Sequence, residues 1–146
     1  MQTYAEALEM LGKIGYSSFM PLQEKAFRSA EMYDAQRDIF VTGDTSSGKT
    51  LIPLISYLLE KQQNRDHRML FLVPYRALAS QKKEEIARIL HAVLPDLRIV
   101  LSTGECREDD ADIGAGKVDV AVIIYEKAYH IACNSSGFLK SYQTIV

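Results

Sequence analysis

The stretch that decides the fold runs from Asp38 to Gln63 and reads DIFVTGDTSSGKTLIPLISYLLEKQQ. Its first part, Asp38–Thr42, is rich in apolar and β-branched residues, which predicts a strand covered on both faces. In Thr50–Gln63, leucine and isoleucine recur over a broad face, which predicts a helix packed on a sheet. Between the two lies GDTSSGKT, so the sequence predicts a strand, a loop bounded by glycines and a helix in direct succession.

This loop has the spacing G-x-x-x-x-G-K-[ST]. Its glycines let successive backbone N–H groups point at phosphate oxygens, and the N-terminus of the following helix adds partial positive charge. The pattern therefore predicts binding of a nucleoside triphosphate, ATP above all. The residues expected to hold it are those of the whole loop: Gly43, Asp44, Thr45, Ser46, Ser47, Gly48, Lys49 and Thr50.

Two residues of the loop are candidates for the chemistry itself. Lys49 is placed to reach the β- and γ-phosphates, and Thr50 offers a hydroxyl to Mg²⁺, so both are predicted catalytic residues and Thr50 is also the predicted metal ligand. The alternative is a chance match in an ordinary Gly/Ser turn, against which the flanking strand and helix argue. Asp44 repels a polyphosphate unless its carboxylate faces solvent or meets a cation.

Outward from the loop, short apolar runs alternate with segments of helical period. Further strands are predicted at Met69–Val73, Leu97–Leu101, Asp119–Ile124 and Thr144–Val146. Further helices are predicted at Thr3–Leu11, Leu22–Met32, Ala77–Val93 and Glu126–Asn134. This alternation predicts an α/β fold with a mostly parallel sheet flanked by helices.

Composition narrows the class of protein. The 146 residues suit one domain or a piece of one, and 47% of them are hydrophobic. No apolar run approaches the roughly 18 residues of a membrane span, and the N-terminus lacks signal-peptide features, so we expect an intracellular protein, cytoplasmic or nuclear. Cys106 and Cys133 have no ligand or redox spacing and are expected to be reduced thiols. The net charge of −2 excludes a global basic field, so any nucleic acid must be held by a few placed contacts.

Four further segments accompany the loop in a fixed order. They are GYSSFMPLQEKAF (Gly15–Phe27), VPYRALASQKKEE (Val73–Glu85), LSTGE (Leu101–Glu105) and DVAVIIYEKAYHI (Asp119–Ile131). Together with GDTSSGKT, this series resembles the first RecA-like domain of a superfamily 2 helicase, within the DExH branch that contains superkiller-type RNA helicases and polymerase-theta-type DNA helicases. The resemblance implies a RecA-like P-loop NTPase, with an N-terminal helical segment at residues 1–36 and a P-loop core at residues 37–146.

The resemblance assigns the residues of the base site. Gln23 matches the glutamine that reads adenine, because a carboxamide can pair with both N6 and N7. Its alternative is a solvated helix residue. Tyr16 or Phe19 could stack on the base, and packing inside the turn is the alternative for both.

The resemblance also assigns contacts to the nucleic-acid backbone. Pro74, Arg76 and Ala77 match one such segment, and the planar fork of an arginine suits phosphate. Thr103 and Gly104 match a second segment, where a hydroxyl and nearby N–H groups bind phosphate. Tyr125, Glu126 and Lys127 match a third, in which Lys127 alone indicates binding. The alternatives are an exposed charge at a helix start for Arg76 and a plain turn after a strand for Thr103 and Gly104.

In this family the strand that begins QTIV leads into Asp-Glu-x-His, which is absent from these 146 residues. The resemblance therefore implies a RecA-like domain truncated at its C-terminus, either an excised piece or the product of a shortened gene. Its partner would be the remainder of the helicase, with the DExH segment and a second RecA-like domain. The isolated chain is expected to have no useful ATPase or unwinding activity.

Three functions follow from these observations. The first is the ATP-binding part of a helicase or translocase acting on single-stranded or forked nucleic acid, with DNA favoured over RNA by family likeness. The second is a non-catalytic module that binds nucleotide or nucleic acid. The third is a P-loop kinase or another NTPase, against which the Gln23 turn and VPYRALA argue, because such a protein has no reason to contain them.

Overall fold

A computed structural model describes residues 2–146. It divides the chain into two compact units, one that ends at Gln63 and one that spans Asn64–Val146. The predicted division at residue 36 separates sequence motifs, not compact units, and stays a prediction.

The N-terminal unit is helical. Its helices are α1 (Tyr4–Ile14), α2 (Pro21–Arg28) and α3 (Leu51–Gln63), with a 3₁₀ turn at Ala30–Tyr33. A capping box between Thr3 and Glu6 begins α1, and Gly15 ends it with a φ of 107°, a left-handed conformation that suits glycine. Both α1 and α2 pack against α3. The three helices therefore agree with the predicted ones, except that the one expected over Leu22–Met32 breaks into α2 and the 3₁₀ turn.

The strand expected over Asp38–Thr42 is absent, and this prediction was wrong. Within residues 2–146, the backbone of this segment forms no hydrogen bond, and its Phe40 side chain is 91% exposed. An extended, β-branched segment becomes a strand only where a neighbouring backbone supplies hydrogen-bond partners. Composition alone therefore predicted more order here than the chain forms.

The C-terminal unit carries the sheet. Its strands are β1 (Met69–Val73), β2 (Ile99–Ser102), β3 (Val120–Ile124) and β4 (Thr144–Ile145), and its helices are α4 (Arg76–His91), α5 (Asp110–Gly114) and α6 (Tyr125–Asn134). A 3₁₀ turn, Leu139–Ser141, precedes β4. The strands lie in the order β2-β3-β1-β4, and every pair is parallel. The predicted α/β fold with a parallel sheet flanked by helices is confirmed.

One core cluster fills the space between the sheet and the helices α5 and α6. It joins alternate strand residues to buried residues of the C-terminal segment: Leu70, Val100, Ile113, Val118, Ala121, Ile123, Ala128, Ile131, Phe138 and Tyr142. The Tyr142 hydroxyl donates to the Ile113 carbonyl at 2.7 Å, and burial raises the pKa of Tyr142 to about 12. This cluster fixes α5 and α6 next to the strand ends that the candidate interface uses.

Three further predictions concern the segment around α5, the two cysteines and membrane-spanning helices. No helix was predicted at Asp110–Gly114, where α5 lies, because a helix of five residues is too short to leave a periodic pattern in the sequence. Cys106 and Cys133 are free thiols, as expected. Among residues 2–146, no helix combines the length and the apolar character that crossing a membrane requires.

Candidate nucleotide site and nucleic-acid interface

Two glycines of the phosphate loop are required by its geometry. Gly48 has a φ of 73°, and a Cβ added there would lie 2.3 Å from the Gln23 side-chain nitrogen. At Gly43, a Cβ would lie 2.8 Å from a methyl group of Leu22. Larger residues at these positions would move the loop, so the glycines of the pattern hold its present path.

The loop presents unpaired backbone donors. The Ser47 N–H donates to the Asp44 carbonyl at 3.1 Å, which closes a turn inside the loop. In the part of the chain that the structure describes, residues 2–146, no protein acceptor takes the N–H groups of Thr45, Ser46, Gly48 and Lys49. Thr50 follows them directly before α3. Unpaired N–H groups at the N-terminus of a helix are the donor set that phosphate oxygens require.

The Lys49 ammonium folds back over the loop. Its Nζ donates to the carbonyl oxygens of Gly43 at 2.7 Å and Asp44 at 2.5 Å. The Ser47 hydroxyl also donates to the Asp44 carbonyl, at 2.6 Å. The side chain of Asp44 is exposed, so the carboxylate that seemed at odds with a polyphosphate faces solvent. A polyphosphate would replace carbonyl oxygens as the partner of Lys49, exchanging neutral acceptors for charged ones.

Gln23 is buried, with 3% of its surface exposed, so the alternative of a solvated helix residue is wrong. Its Oε1 accepts the Met20 N–H at 2.9 Å, and its Nε2 donates to the Gly48 carbonyl at 2.9 Å. The carboxamide thus joins the start of α2 to the phosphate loop. Its adenine-reading role stays a prediction.

Of the two aromatic candidates for base stacking, Phe19 is engaged in packing. Its ring stacks on Phe27 with centroids 4.9 Å apart and meets Tyr4 at 5.9 Å. Tyr16 is 44% exposed. The packing alternative therefore describes Phe19, and Tyr16 is the ring that remains accessible.

The predicted nucleic-acid residues lie at one edge of the sheet. Pro74 follows β1, Thr103 and Gly104 follow β2, and Lys127 lies in the first turn of α6, directly after β3. Because β1, β2 and β3 are parallel neighbours, their carboxyl ends meet at the same edge. The structure thus brings together segments that are far apart in sequence, and Arg76 joins them as the first residue of α4.

Arg76 is held by a carboxylate from the loop after β2. Its Nη1 lies 2.6 Å from Glu105 Oε1, and both side chains are largely exposed. The guanidinium lies beside Gly104, where an added Cβ would come within 3.5 Å of it. The structure therefore joins the segments of Arg76 and Gly104 through Glu105. The sequence analysis did not identify Glu105 as the ion-pair partner of Arg76.

Thr103 organises the loop that follows β2. Its Oγ1 accepts the N–H groups of Glu105 at 3.3 Å and Cys106 at 3.1 Å, and its own N–H donates to the Cys106 carbonyl. The residue is buried, with 5% of its surface exposed. The N–H groups of Thr103, Glu105 and Cys106 are thus used inside the turn, and the phosphate-binding role of Thr103 and Gly104 stays a prediction.

Lys127 belongs to a partly buried network. Its Nζ lies 2.5 Å from Asp110 Oδ2, and the other oxygen of that carboxylate accepts the hydroxyl of Ser102 at 2.5 Å. Only 15% of the Lys127 side chain is exposed. Sequence reasoning missed Asp110 and Ser102, because the short helix that Asp110 begins leaves no periodic pattern in the sequence.

No group of three or more His, Cys, Asp or Glu side chains within residues 2–146 is arranged to hold a metal ion. The predicted ligand for Mg²⁺, the Thr50 hydroxyl, is of a different kind and lies at the N-terminus of α3. Hydroxyl and phosphate oxygens together suit Mg²⁺, which keeps several waters and needs few protein ligands. The residues present thus fit a cation that arrives with a polyphosphate.

The chain is similar to several helicases. It is 36% identical over 107 residues to the ATP-dependent DNA helicase Hel308 of Methanocaldococcus jannaschii, a match that covers 70% of this chain and 9% of that protein. It is 30% identical over 129 residues to Hel308 of Thermoplasma volcanium, covering 81% and 18%. It is 29% identical over 115 residues to the U5 small nuclear ribonucleoprotein 200 kDa helicase of Mus musculus, covering 79% and 5%. The chain thus spans less than a fifth of the length of these relatives.

The pattern of the DEAD/DEAH box helicase family matches residues 20–146. The matched range contains Gln23, the phosphate loop and the three segments at the carboxyl edge of the sheet. The expected resemblance to a superfamily 2 helicase is therefore confirmed, together with the α/β fold of its first RecA-like domain. This chain belongs to the DEAD/DEAH box helicase family.

Proposed function

We propose that this chain is the ATP-binding, N-terminal part of an ATP-dependent nucleic-acid helicase or translocase. The observation that carries the proposal is the phosphate loop, where unpaired N–H groups and Lys49 meet at the N-terminus of α3. ATP would be held by Gly43–Thr50, with Lys49 on the terminal phosphates, the Thr50 hydroxyl on Mg²⁺ and Gln23 at the adenine.

Nucleic acid would be held at the carboxyl edge of the sheet. Arg76 is an exposed cation there, and Pro74, Thr103, Gly104 and Lys127 complete the proposed contact surface. Such contacts bind the backbone and carry no base sequence directly, so we propose little sequence preference. The names of the Hel308 relatives favour DNA, and that of the U5 relative points to a ribonucleoprotein. We therefore propose DNA as the favoured substrate and RNA as the alternative to test against it.

The first experiment is a titration of the chain with fluorescent ATP in the presence of Mg²⁺. Lys49→Ala removes a charge-assisted contact worth about 1.5–3 kcal/mol, so we expect binding about 10- to 100-fold weaker. The control is Lys13→Ala in the same unit, which removes an equal charge from an exposed pair with Glu9. Equal affinities for wild type and Lys49→Ala would refute the assignment of the loop.

A second candidate function, a non-catalytic binding module, is separated by turnover. No Asp-Glu pair follows a strand within these 146 residues, and phosphoryl transfer depends on carboxylates and cations positioned around the γ-phosphate. We expect the isolated chain to bind ATP without hydrolysing it at saturating single-stranded DNA. Hydrolysis that Lys49→Ala abolishes would show that the chain is catalytic by itself.

A further inference from the structure

Two exposed tyrosines stand at the carboxyl edge of the sheet. Tyr75 lies between β1 and α4, and Tyr125 is the first residue of α6, directly after β3. They are 61% and 56% exposed, whereas the strand residues before them, Val73 and Ile124, are buried. Their large rings therefore face solvent at the point where two buried strands end.

The register of the sheet makes these tyrosines neighbours. Val73 and Ile124 are paired across β1 and β3, so the chain leaves two adjacent strands at the same level. Neighbouring strands lie about 4.8 Å apart. Tyr75 follows the end of β1 by two residues and Tyr125 follows the end of β3 by one, so both rings arise from one small patch of the surface.

The charged groups around this patch nearly cancel, so binding of a single strand here needs an interaction other than Coulomb attraction. Arg76 is paired with Glu105, and Lys127 is paired with Asp110. Glu126 adds an exposed carboxylate and Arg107 an exposed guanidinium, and the whole chain has a net charge of −2. Backbone phosphates alone therefore meet a surface that is close to neutral. Bases stack on aromatic rings whatever their sequence, and such stacking needs no net charge.

We propose that Tyr75 and Tyr125 form a stacking platform for consecutive bases of a single strand, beside the phosphate contact of Arg76. Arg76 follows Tyr75 in the sequence, and its guanidinium remains 58% exposed with a planar fork of five donors, so it can hold a phosphate of the strand whose bases are stacked. This inference rests on the proposed nucleic-acid function and adds base stacking to it. The ligand class is single-stranded DNA or RNA without a fixed sequence.

The test uses the full chain, a fluorescent single-stranded oligonucleotide and an abasic strand of the same length. Tyr75→Ala and Tyr125→Ala are each expected to weaken binding to the normal strand by about 5- to 100-fold. Both should leave the much weaker binding to the abasic strand unchanged. Tyr75→Phe keeps the ring and should bind like wild type, whereas Tyr75→Leu keeps apolar bulk without a ring and should bind like Tyr75→Ala.

Tyr129 supplies the matched control. It is 69% exposed on the same helix as Tyr125 but lies one turn further from the strand ends. Tyr129→Ala should bind as wild type, and an equal loss there would overturn the proposal. The chain has no tryptophan but eight tyrosines, so the emission of Tyr75 and Tyr125 is obtained as the difference between wild type and the double variant Tyr75→Phe/Tyr125→Phe. We expect the normal strand to quench tyrosine emission, and less so in Tyr75→Phe/Tyr125→Phe.

Arg76→Ala separates this inference from the function on which it rests. Weaker binding of Arg76→Ala to both strands, together with no effect of either tyrosine variant, would refute the platform and leave the nucleic-acid function standing. No measurable binding of wild type to either strand would refute the proposed function itself. Equal wild-type affinity for normal and abasic strands would also overturn the platform.

Discussion

The phosphate loop and the carboxyl edge of the sheet both offer cations to anions, but they are neutralised in different ways. At the loop, Lys49 rests on backbone carbonyls, while several backbone N–H groups stay unpaired. At the edge, Arg76 and Lys127 rest on carboxylates, and the N–H groups of Glu105 and Cys106 are used in a turn. Neutral carbonyls are weak competitors for a cation, and carboxylates are strong ones. The backbone of the loop thus offers donors to an anion. At the edge, carboxylates compete with an anion for Arg76 and Lys127.

Breaking the backbone of the loop should have the largest effect. Gly48→Ala places a Cβ 2.3 Å from the Gln23 side chain at a φ of 73°. Because such strain costs about 1–3 kcal/mol, we expect ATP binding to weaken by up to about 100-fold, as measured by titration with fluorescent ATP.

Gly12→Ala is the matched control for that variant. No atom lies within 4 Å of a Cβ added at Gly12, which is inside α1. This variant should bind ATP as wild type and gain about 0.5–1 kcal/mol in stability from helix propensity. Unchanged ATP binding in Gly48→Ala would show that the backbone path does not set the affinity.

Removing Asp110, the partly buried acid at the carboxyl edge of the sheet, should come next. Asp110→Ala leaves Lys127 and the fully buried Ser102 without their shared partner. We expect the free energy of unfolding to fall by about 2 kcal/mol in urea denaturation, because partly buried polar groups lose their partner. Asp109→Ala removes an equal charge, but its partner Arg98 is 44% exposed and keeps Asp112, so this variant should cost less than about 1 kcal/mol. Equal losses would mean that the burial of the partners does not distinguish the two acids.

The carboxamide that joins α2 to the loop should have an intermediate effect. Gln23→Ala removes its bonds to the Met20 N–H and the Gly48 carbonyl. We expect ATP binding about 10-fold weaker and little remaining preference for ATP over GTP in competition titrations. Gln62→Ala, at an exposed position of α3, is the control. A preserved preference for ATP would assign Gln23 to holding the loop and not to reading the base.

Neutralising Glu105, the exposed acid at the carboxyl edge of the sheet, should have the smallest effect. Glu105→Gln frees Arg76, and exposed ion pairs are worth about 0–1 kcal/mol, so we expect single-stranded DNA to bind about two- to threefold more tightly at low salt. Glu108→Gln makes the same change of charge in the same loop without an ion pair within residues 2–146. An equal gain in both variants would assign the effect to net charge and not to Arg76.

Local patterns in the sequence predicted most of the fold. The apolar run Met69–Val73 is bounded by charged residues and proline, and its predicted limits agree with β1. The short, aspartate-rich α5 has no periodicity to detect, and it is held by burial of Ile113 beneath Tyr142. Asp38–Thr42 has the composition of a strand but no partner. Sequence patterns therefore predicted the elements that depend on local sequence. They failed where contacts with residues distant in sequence determine whether a helix or strand forms.

The same division applies to the candidate sites. The residues of the phosphate loop follow from spacing, because the loop is built from consecutive positions. The partners of its cations do not: Glu105 is 29 residues from Arg76, and Asp110 reaches Lys127 only because α5 and α6 pack together. Such pairs depend on the path of the sheet and leave no local signature.

The unpaired segment Asp38–Thr42 has a thermodynamic consequence for the loop that it enters. A backbone without hydrogen-bond partners samples many conformations, and fixing one residue costs on the order of 1–2 kcal/mol. The free-energy cost of ordering this segment around a nucleotide would be subtracted from the free energy that the phosphate contacts release. A neighbouring strand that paired with Asp38–Thr42 would therefore raise the affinity for ATP without touching the nucleotide.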